Sequence, residues 1–113
     1  MKKIEAIIRP EKLDVVRQAL EESGYPGLTI TEIEGHGMQK GAFQQWRGEK
    51  YKLDFLPKVK VEIVCIDKDL EKIIQTLIES TYTGNVGDGK IFVYEVEEVV
   101  RIRTRERGER ALV

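Results

Sequence analysis

Three glycines, an aspartate and a lysine crowd into Thr83-Gly84-Asn85-Val86-Gly87-Asp88-Gly89-Lys90, and the apolar run Ile91-Phe92-Val93 follows at once. Glycine accepts positive φ and lets another molecule come close to backbone N–H groups. Successive outward N–H groups form a concave anion nest, and a lysine at its rim adds a full positive charge. The chemistry this suits is phosphate binding. A plain tight turn fits the same pattern, because glycine and aspartate are turn residues. The stretch is neither a P-loop nor a dinucleotide fingerprint, since both lead into a helix. Here Ile91 to Val96 is rich in β-branched and aromatic residues and predicts a strand, about 90–99. Further on, Arg101 and Arg103 alternate as on a strand, so both project from one face. Two guanidinium forks suit a polyphosphate. Arg105, Arg107 and Arg110 follow, so the pair also fits a solvated charge run.

The elements that would position these residues alternate in type. Ile4, Ala6 and Ile8 alternate with charges over Lys2 to Arg9 and predict a strand that Pro10 ends. Leu13, Val16 and Leu20 fall at helical spacing, giving an amphipathic helix of about 11–23 closed by Gly24 and Pro26-Gly27. Leu28 to Gly35 reads as a second strand. From Gly37 to about Phe55 no period persists. Unstructured loops of that length inside compact domains are usually functional or mobile. Val59, Val61, Ile63 and Cys65 alternate as a third strand. Leu70, Ile73, Ile74, Leu77 and Ile78 trace the apolar stripe of a second helix, with Asp67 or Asp69 able to cap it. The order β-α-β, long loop, β-α-β predicts an α+β, ferredoxin-like split βαβ (βαββαβ) sheet with both helices on one face. Ile7, Val64 and Phe92 have the opposite parity yet are apolar. An uncovered apolar face marks an interface, and self-association usually closes with cyclic symmetry.

A chain of 113 residues suits one domain, spanning 1–113. Its net charge of −1 speaks against general nucleic-acid affinity. No apolar run near Met1 or elsewhere predicts a signal peptide or membrane insertion. The single Cys65 falls in an apolar strand pattern and cannot close an intrachain disulfide, which suggests a reducing, cytoplasmic setting. With one histidine, His36, a zinc site or a cysteine–histidine catalytic pair is disfavoured.

The chain closely resembles the PII nitrogen-regulatory signal-transduction proteins. The resemblance covers nearly all of it. It rests on Arg9-Pro10-Glu11-Lys12-Leu13-Asp14, Gly35-His36-Gly37-Met38-Gln39-Lys40-Gly41 and Arg47-Gly48-Glu49-Lys50-Tyr51. Asp54 to Lys60, Thr83 to Val93 and Arg101-Ile102-Arg103-Thr104 continue it. The resemblance implies a homotrimer that is not an enzyme, with ATP and ADP in clefts between subunits and 2-oxoglutarate bound with Mg²⁺ in the ATP state. The segment 37–55 corresponds to the protruding T-loop that docks on targets, the ammonium transporter foremost, with nitrogen-assimilation enzymes or regulators beside it.

By this resemblance Gly87, Asp88, Gly89 and Lys90 hold phosphates. Arg101 and Arg103 reach them from a neighbouring subunit. Thr29 and Glu62 stand around the nucleoside, and Gly35, Gly37 and Met38 lie at the same site. A glutamine oxygen can ligate Mg²⁺, which assigns Gln39 to the metal and the keto acid, and Lys58 to the dicarboxylate. Trp46 and Arg47 would dock on partners; tryptophan is enriched at binding hot spots, although Trp46 also suits packing back on the domain. Tyr51 matches the position many bacterial members uridylylate. The chain departs from the family pattern in four places. Met38 replaces a common phosphate-touching arginine, and Trp46 a common tyrosine. Glu49 stands where other members carry a phosphorylated serine. Arg105 replaces a frequent glycine and would stiffen the tail, about 100–113. Three rivals remain in view: a nitrogenase-directed regulator of the same type, a ferredoxin-like enzyme such as an acylphosphatase, and a trimeric metal-binding relative.

Overall fold

The computed structural model describes residues 1–25, 27–35, 43–46, 49–52 and 56–112, with side chains over 1–25, 27–33 and 57–112. The chain runs β1 (Lys2–Ile8), α1 (Leu13–Glu22), β2 (Thr29–Gly35), β3 (Phe43–Trp46), β4 (Glu49–Lys52), β5 (Leu56–Cys65), α2 (Leu70–Thr81) and β6 (Lys90–Glu95). Four strands form one sheet in the order β2-β5-β1-β6, every neighbouring pair antiparallel. With two helices packed on it, this is the ferredoxin-like α+β fold.

Strand alternation places the core. Ile4, Ala6 and Ile8 of β1 and Val59, Val61, Ile63 and Cys65 of β5 point to one face, where Val16 and Leu20 of α1 and Ile73 and Leu77 of α2 cover them. Burying an aliphatic side chain of this size contributes about 1.5–3 kcal/mol, so these positions carry the fold. Both helices begin one 3₁₀ turn early, at Pro10–Lys12 and Asp67–Asp69. Proline fixes φ near the helical value without needing its missing N–H, which suits that first turn.

The structure differs from the sequence expectations in six places. Within the segment expected to lack a period, β3 and β4 pair antiparallel from Phe43↔Lys52 to Trp46↔Glu49. Their residues, FQQW and EKYK, carry no clean apolar alternation, so their sequence does not announce strands. Neither Asp67 nor Asp69 caps α2 through its side chain. Asp67 instead pairs with the Met1 α-ammonium at 2.9 Å. Ile78, at the end of the α2 stripe, is 40% exposed because β6 is the edge strand and nothing lies beyond it. β6 ends at Glu95, not near 99, because its register with β1 runs out at Lys2↔Glu95.

The uncovered face of the sheet is the fifth difference. Ile7, Val64 and Phe92 do lie on it, but its centre is ionic. Lys3 meets Glu62 at 2.9 Å, and Lys60 lies 3.4 Å from Glu5 and 3.5 Å from Glu62. Glu5 and Glu62 are register partners, so the two lysines offset a like-charge pair on neighbouring strands. The bond from Lys3, first, holds the Glu62 carboxyl below its ordinary pKa. The apolar residues form a rim around this cluster.

The tail also departs from a strand. Val100 bridges Arg107, and the chain between them turns, with Arg101 N–H donating to the Glu106 carbonyl at 2.9 Å and Arg105 N–H to the Arg101 carbonyl at 2.7 Å. The turn needs Arg105 at φ 64, the left-handed region that favours glycine. Relieving that strain is worth about 1–2 kcal/mol, against about 0.4–1 kcal/mol for the freer unfolded glycine. Arg105→Gly is therefore expected to leave stability unchanged or raise it by up to about 1.6 kcal/mol. Urea unfolding checks this; a loss above about 1 kcal/mol would contradict the strain.

Candidate functional site

The glycine stretch folds back on itself as α2 ends. Tyr82 N–H still reaches the Ile78 carbonyl, but Tyr82 is extended, so the helix stops there. Positive φ at Gly84 (87), Gly87 (103) and Gly89 (103) then makes the path possible. The Asp88 carboxylate closes the loop. It accepts the N–H groups of Thr83 at 2.8 Å and Gly84 at 2.9 Å, and the Thr83 hydroxyl. The Thr83 hydroxyl also accepts from Asn85 N–H at 3.2 Å. Hydrogen bonds to the charged form stabilise it. The Thr83 hydroxyl first, then the Thr83 and Gly84 N–H groups and Arg9, hold the Asp88 carboxyl far below the usual carboxylate range.

Two cations grip the loop from the sheet side. Arg9, just past β1, donates from Nε to Asp88 at 3.3 Å and from Nη2 to the Val86 carbonyl at 3.0 Å. Lys58, on β5, donates to the Gly87 carbonyl at 2.8 Å. Burial first, then the nearby Arg9 charge, pushes the Lys58 ammonium below its ordinary pKa. With these carbonyls engaged on one side, the N–H groups of Gly87 and Gly89 pair with no acceptor among the described residues. Lys90 follows immediately and is exposed.

Two clefts lie near the loop, one of them lined by it. One, of about 400 Å³, runs between α2 and the edge strand, lined by Ile74, Ile78, Tyr82, Lys90, Ile91 and Val93 among others. The other, of about 460 Å³, is lined by Pro10, Glu32, Ile33, Pro57, Lys58 and Val59. Lys58 therefore lies between the second cleft and the loop. A clamped loop whose Gly87 and Gly89 N–H groups meet no acceptor among the described residues, with a lysine at its rim and a cleft beside it, can receive an anion.

The family description "Nitrogen regulatory protein P-II" matches residues 1–106. The chain belongs to this family. It is similar to the Nitrogen regulatory protein P-II of Pasteurella multocida, 54% identical over 112 residues that cover 99% of this chain and 100% of the relative. The Rhizobium meliloti protein of the same name is 56% identical over 108 residues, 96% of each chain. The P-II 2 protein of Methanothermobacter thermautotrophicus is 52% identical over 112 residues, 99% of this chain and 97% of that one. These relatives are named as regulatory proteins. Among the described residues no helix is long and apolar enough to cross a membrane.

Within this P-II chain the expected site residues fall into three groups. Gly87, Asp88, Gly89, Lys90 and Lys58 come together at the loop. Thr29 and Glu62 are register partners on the uncovered sheet face, which Lys58 and Lys90 share by strand parity. Arg101 and Arg103 do not lie on a strand as expected. They flank Ile102 in the tail, where the Arg101 guanidinium donates to Glu106 at 2.9 Å and to the Ala111 carbonyl at 3.2 Å. Arg103 is exposed. Gly35 ends β2 opposite Leu56. Gly37, Met38, Gln39 and Arg47 lie outside the described residues, as do the side chains of Trp46 on β3 and Tyr51 on β4.

Arg9 was missed as a site residue. Its one signal is the following proline, which holds Arg9 extended at the end of β1. Gly89 was assigned to ligand approach, but its first task is internal. A Cβ there would stand 1.7 Å from the Ile7 carbonyl oxygen.

Proposed function

We propose that this P-II chain senses adenine nucleotides and 2-oxoglutarate and passes their state to nitrogen-metabolism targets. The observation that carries the nucleotide part is the clamped loop, whose Gly87 and Gly89 N–H groups meet no acceptor among the described residues beside the exposed Lys90. The donor set fits a polyphosphate. Backbone N–H groups supply short directional bonds, and Lys90 supplies charge. The ferredoxin-like subunit would close as a homotrimer, with Arg103 and Arg101 of a neighbour completing the phosphate site. Thr29 and Glu62 would lie toward the nucleoside.

The family resemblance supports the remaining parts. Gln39 would ligate Mg²⁺ together with the nucleotide and 2-oxoglutarate, and Lys58 would pair with the dicarboxylate. Mg²⁺ held with Gln39 would supply positive charge for the two anions. The segment 37–55, with Trp46, Arg47 and Tyr51, would carry the state to a partner such as an ammonium transporter or a nitrogen-assimilation enzyme. Fixing Gln39 at the site would fix the start of that segment, an order change at the output arm.

Calorimetric titration tests this. ATP and ADP are expected to bind, and 2-oxoglutarate to bind only when Mg-ATP is present. Lys90→Ala is expected to weaken ATP by roughly tenfold, the scale of one charge-assisted contact. Unchanged ATP binding in that variant would contradict the phosphate site. Equal 2-oxoglutarate binding without nucleotide would contradict the shared, Mg²⁺-dependent site.

A further inference from the structure

Asp88 sits in the middle of the loop that would hold phosphate, but its carboxylate points back into the loop. It accepts two N–H groups and one hydroxyl from Thr83 and Gly84, and Arg9 Nε reaches one of its oxygens at 3.3 Å. Its side chain is 23% exposed, and that of Arg9 is 18% exposed. An anion brought against a carboxylate would be repelled, so Asp88 is poorly suited to touch phosphate. Its bonds instead set the shape of the turn that Gly87 and Gly89 occupy.

Arg9 extends the restraint to the sheet. One of its donors holds Asp88, and another holds the Val86 carbonyl at 3.0 Å. Lys58 holds the next carbonyl, Gly87, at 2.8 Å. When a carbonyl is fixed toward the sheet, the N–H of the same peptide unit, on the next residue, is fixed too, because that unit is planar. The Val86 carbonyl shares its peptide with the Gly87 N–H, and the Gly87 carbonyl with the Asp88 N–H. The trans peptide turns these N–H groups away from Arg9 and Lys58.

We propose that Asp88 and Arg9 are positioning residues that pre-form the anion nest by holding the loop's carbonyls and early N–H groups on the sheet side, leaving those of 87–89 for a polyphosphate. The proposal deepens the nucleotide-sensing reading and rests on it for the ligand. It gives Asp88 a different task from direct phosphate contact. Pre-forming a site raises affinity by removing the entropy lost when a floppy loop orders on binding.

The test compares wild type, Asp88→Ala, Asp88→Asn and Arg9→Lys by titration with ATP, ADP and adenosine. Asp88→Ala is expected to weaken ATP and ADP roughly tenfold or more. Asp88→Asn, which keeps one acceptor oxygen, should fall between it and wild type. Arg9→Lys keeps the charge but cannot reach both acceptors, so it should also lose affinity. Adenosine has no phosphate, and its binding should not move. If Asp88→Ala bound ATP as wild type does, or lost adenosine equally, the positioning role would be overturned. Amide exchange without ligand gives a separate readout. The Thr83 and Gly84 amides should exchange faster in Asp88→Ala, and unchanged exchange would overturn the role whatever the ligand. If wild type bound no nucleotide while those amides still quickened, the sensing reading would fail and the loop restraint would stand.

Discussion

Gly89→Ala is expected to be among the most damaging single changes in this protein. The added Cβ would stand 1.7 Å from the Ile7 carbonyl oxygen and 2.8 Å from its carbon. Both are backbone atoms of the central strand β1 and cannot swing aside. Gly89 also sits at φ 103, where an L side chain is strained. Overpacking typically costs about 1–3 kcal/mol, and a left-handed conformation adds about 1–2 kcal/mol. The expected loss is thus about 2–5 kcal/mol, a large share of the roughly 5–15 kcal/mol that holds a domain together. The functional consequence follows from the same contact. Relief of the clash would push the start of β6 away from β1, which would draw Lys90 and the loop away from the Arg9 anchor. Gly27→Ala is the control. Its Cβ meets nothing within 4 Å, and stability should change by less than about 1 kcal/mol. Urea unfolding of both variants decides the matter. A Gly89→Ala protein as stable as wild type would mean the loop approaches β1 less closely than described.

Ile4→Ala is expected to cost about as much by the opposite mechanism, a hole instead of a clash. Ile4 is fully buried in β1, with Ile63 of β5 and Val93 of β6 as its register partners. Truncation removes transfer free energy and leaves a cavity that neighbouring strands cannot fill without breaking register. Such changes cost about 2–5 kcal/mol. Ile102→Ala makes the contrast, because Ile102 is 94% exposed at the tail turn and stability should shift by no more than about 0.5 kcal/mol. A loss below about 1 kcal/mol for Ile4→Ala in a denaturant titration would show that the core recloses around the gap. The two large predictions separate two kinds of control over the site. Ile4 sustains the sheet on which the site is mounted, while Gly89 sets how closely the loop lies on that sheet.

The sequence by itself determined the four strands and two helices of the main sheet layer and their order, though not β3 and β4. Apolar residues at period two in Ile4-Ala6-Ile8 and Val59-Val61-Ile63-Cys65, and at helical spacing in the two helices, can be buried in one way only. Burial is what those periods encode. The glycine spacing of 84–89 likewise announced a loop of unusual backbone, and the family followed from motifs spread along the chain. Only the tertiary structure decided what the loop residues do. Asp88 turns inward because Thr83 and Gly84 come within reach of it once the helix ends, a contact five and four residues away that no period reports. Arg9 and Lys58 meet the loop across sequence separations of 77 and 29 residues. Gly89 is glycine because of the Ile7 carbonyl, a backbone atom of another strand. Side-chain type and spacing record which face a residue is on. Which partner waits there depends on strand order and register, and these arise only when the chain has closed its sheet.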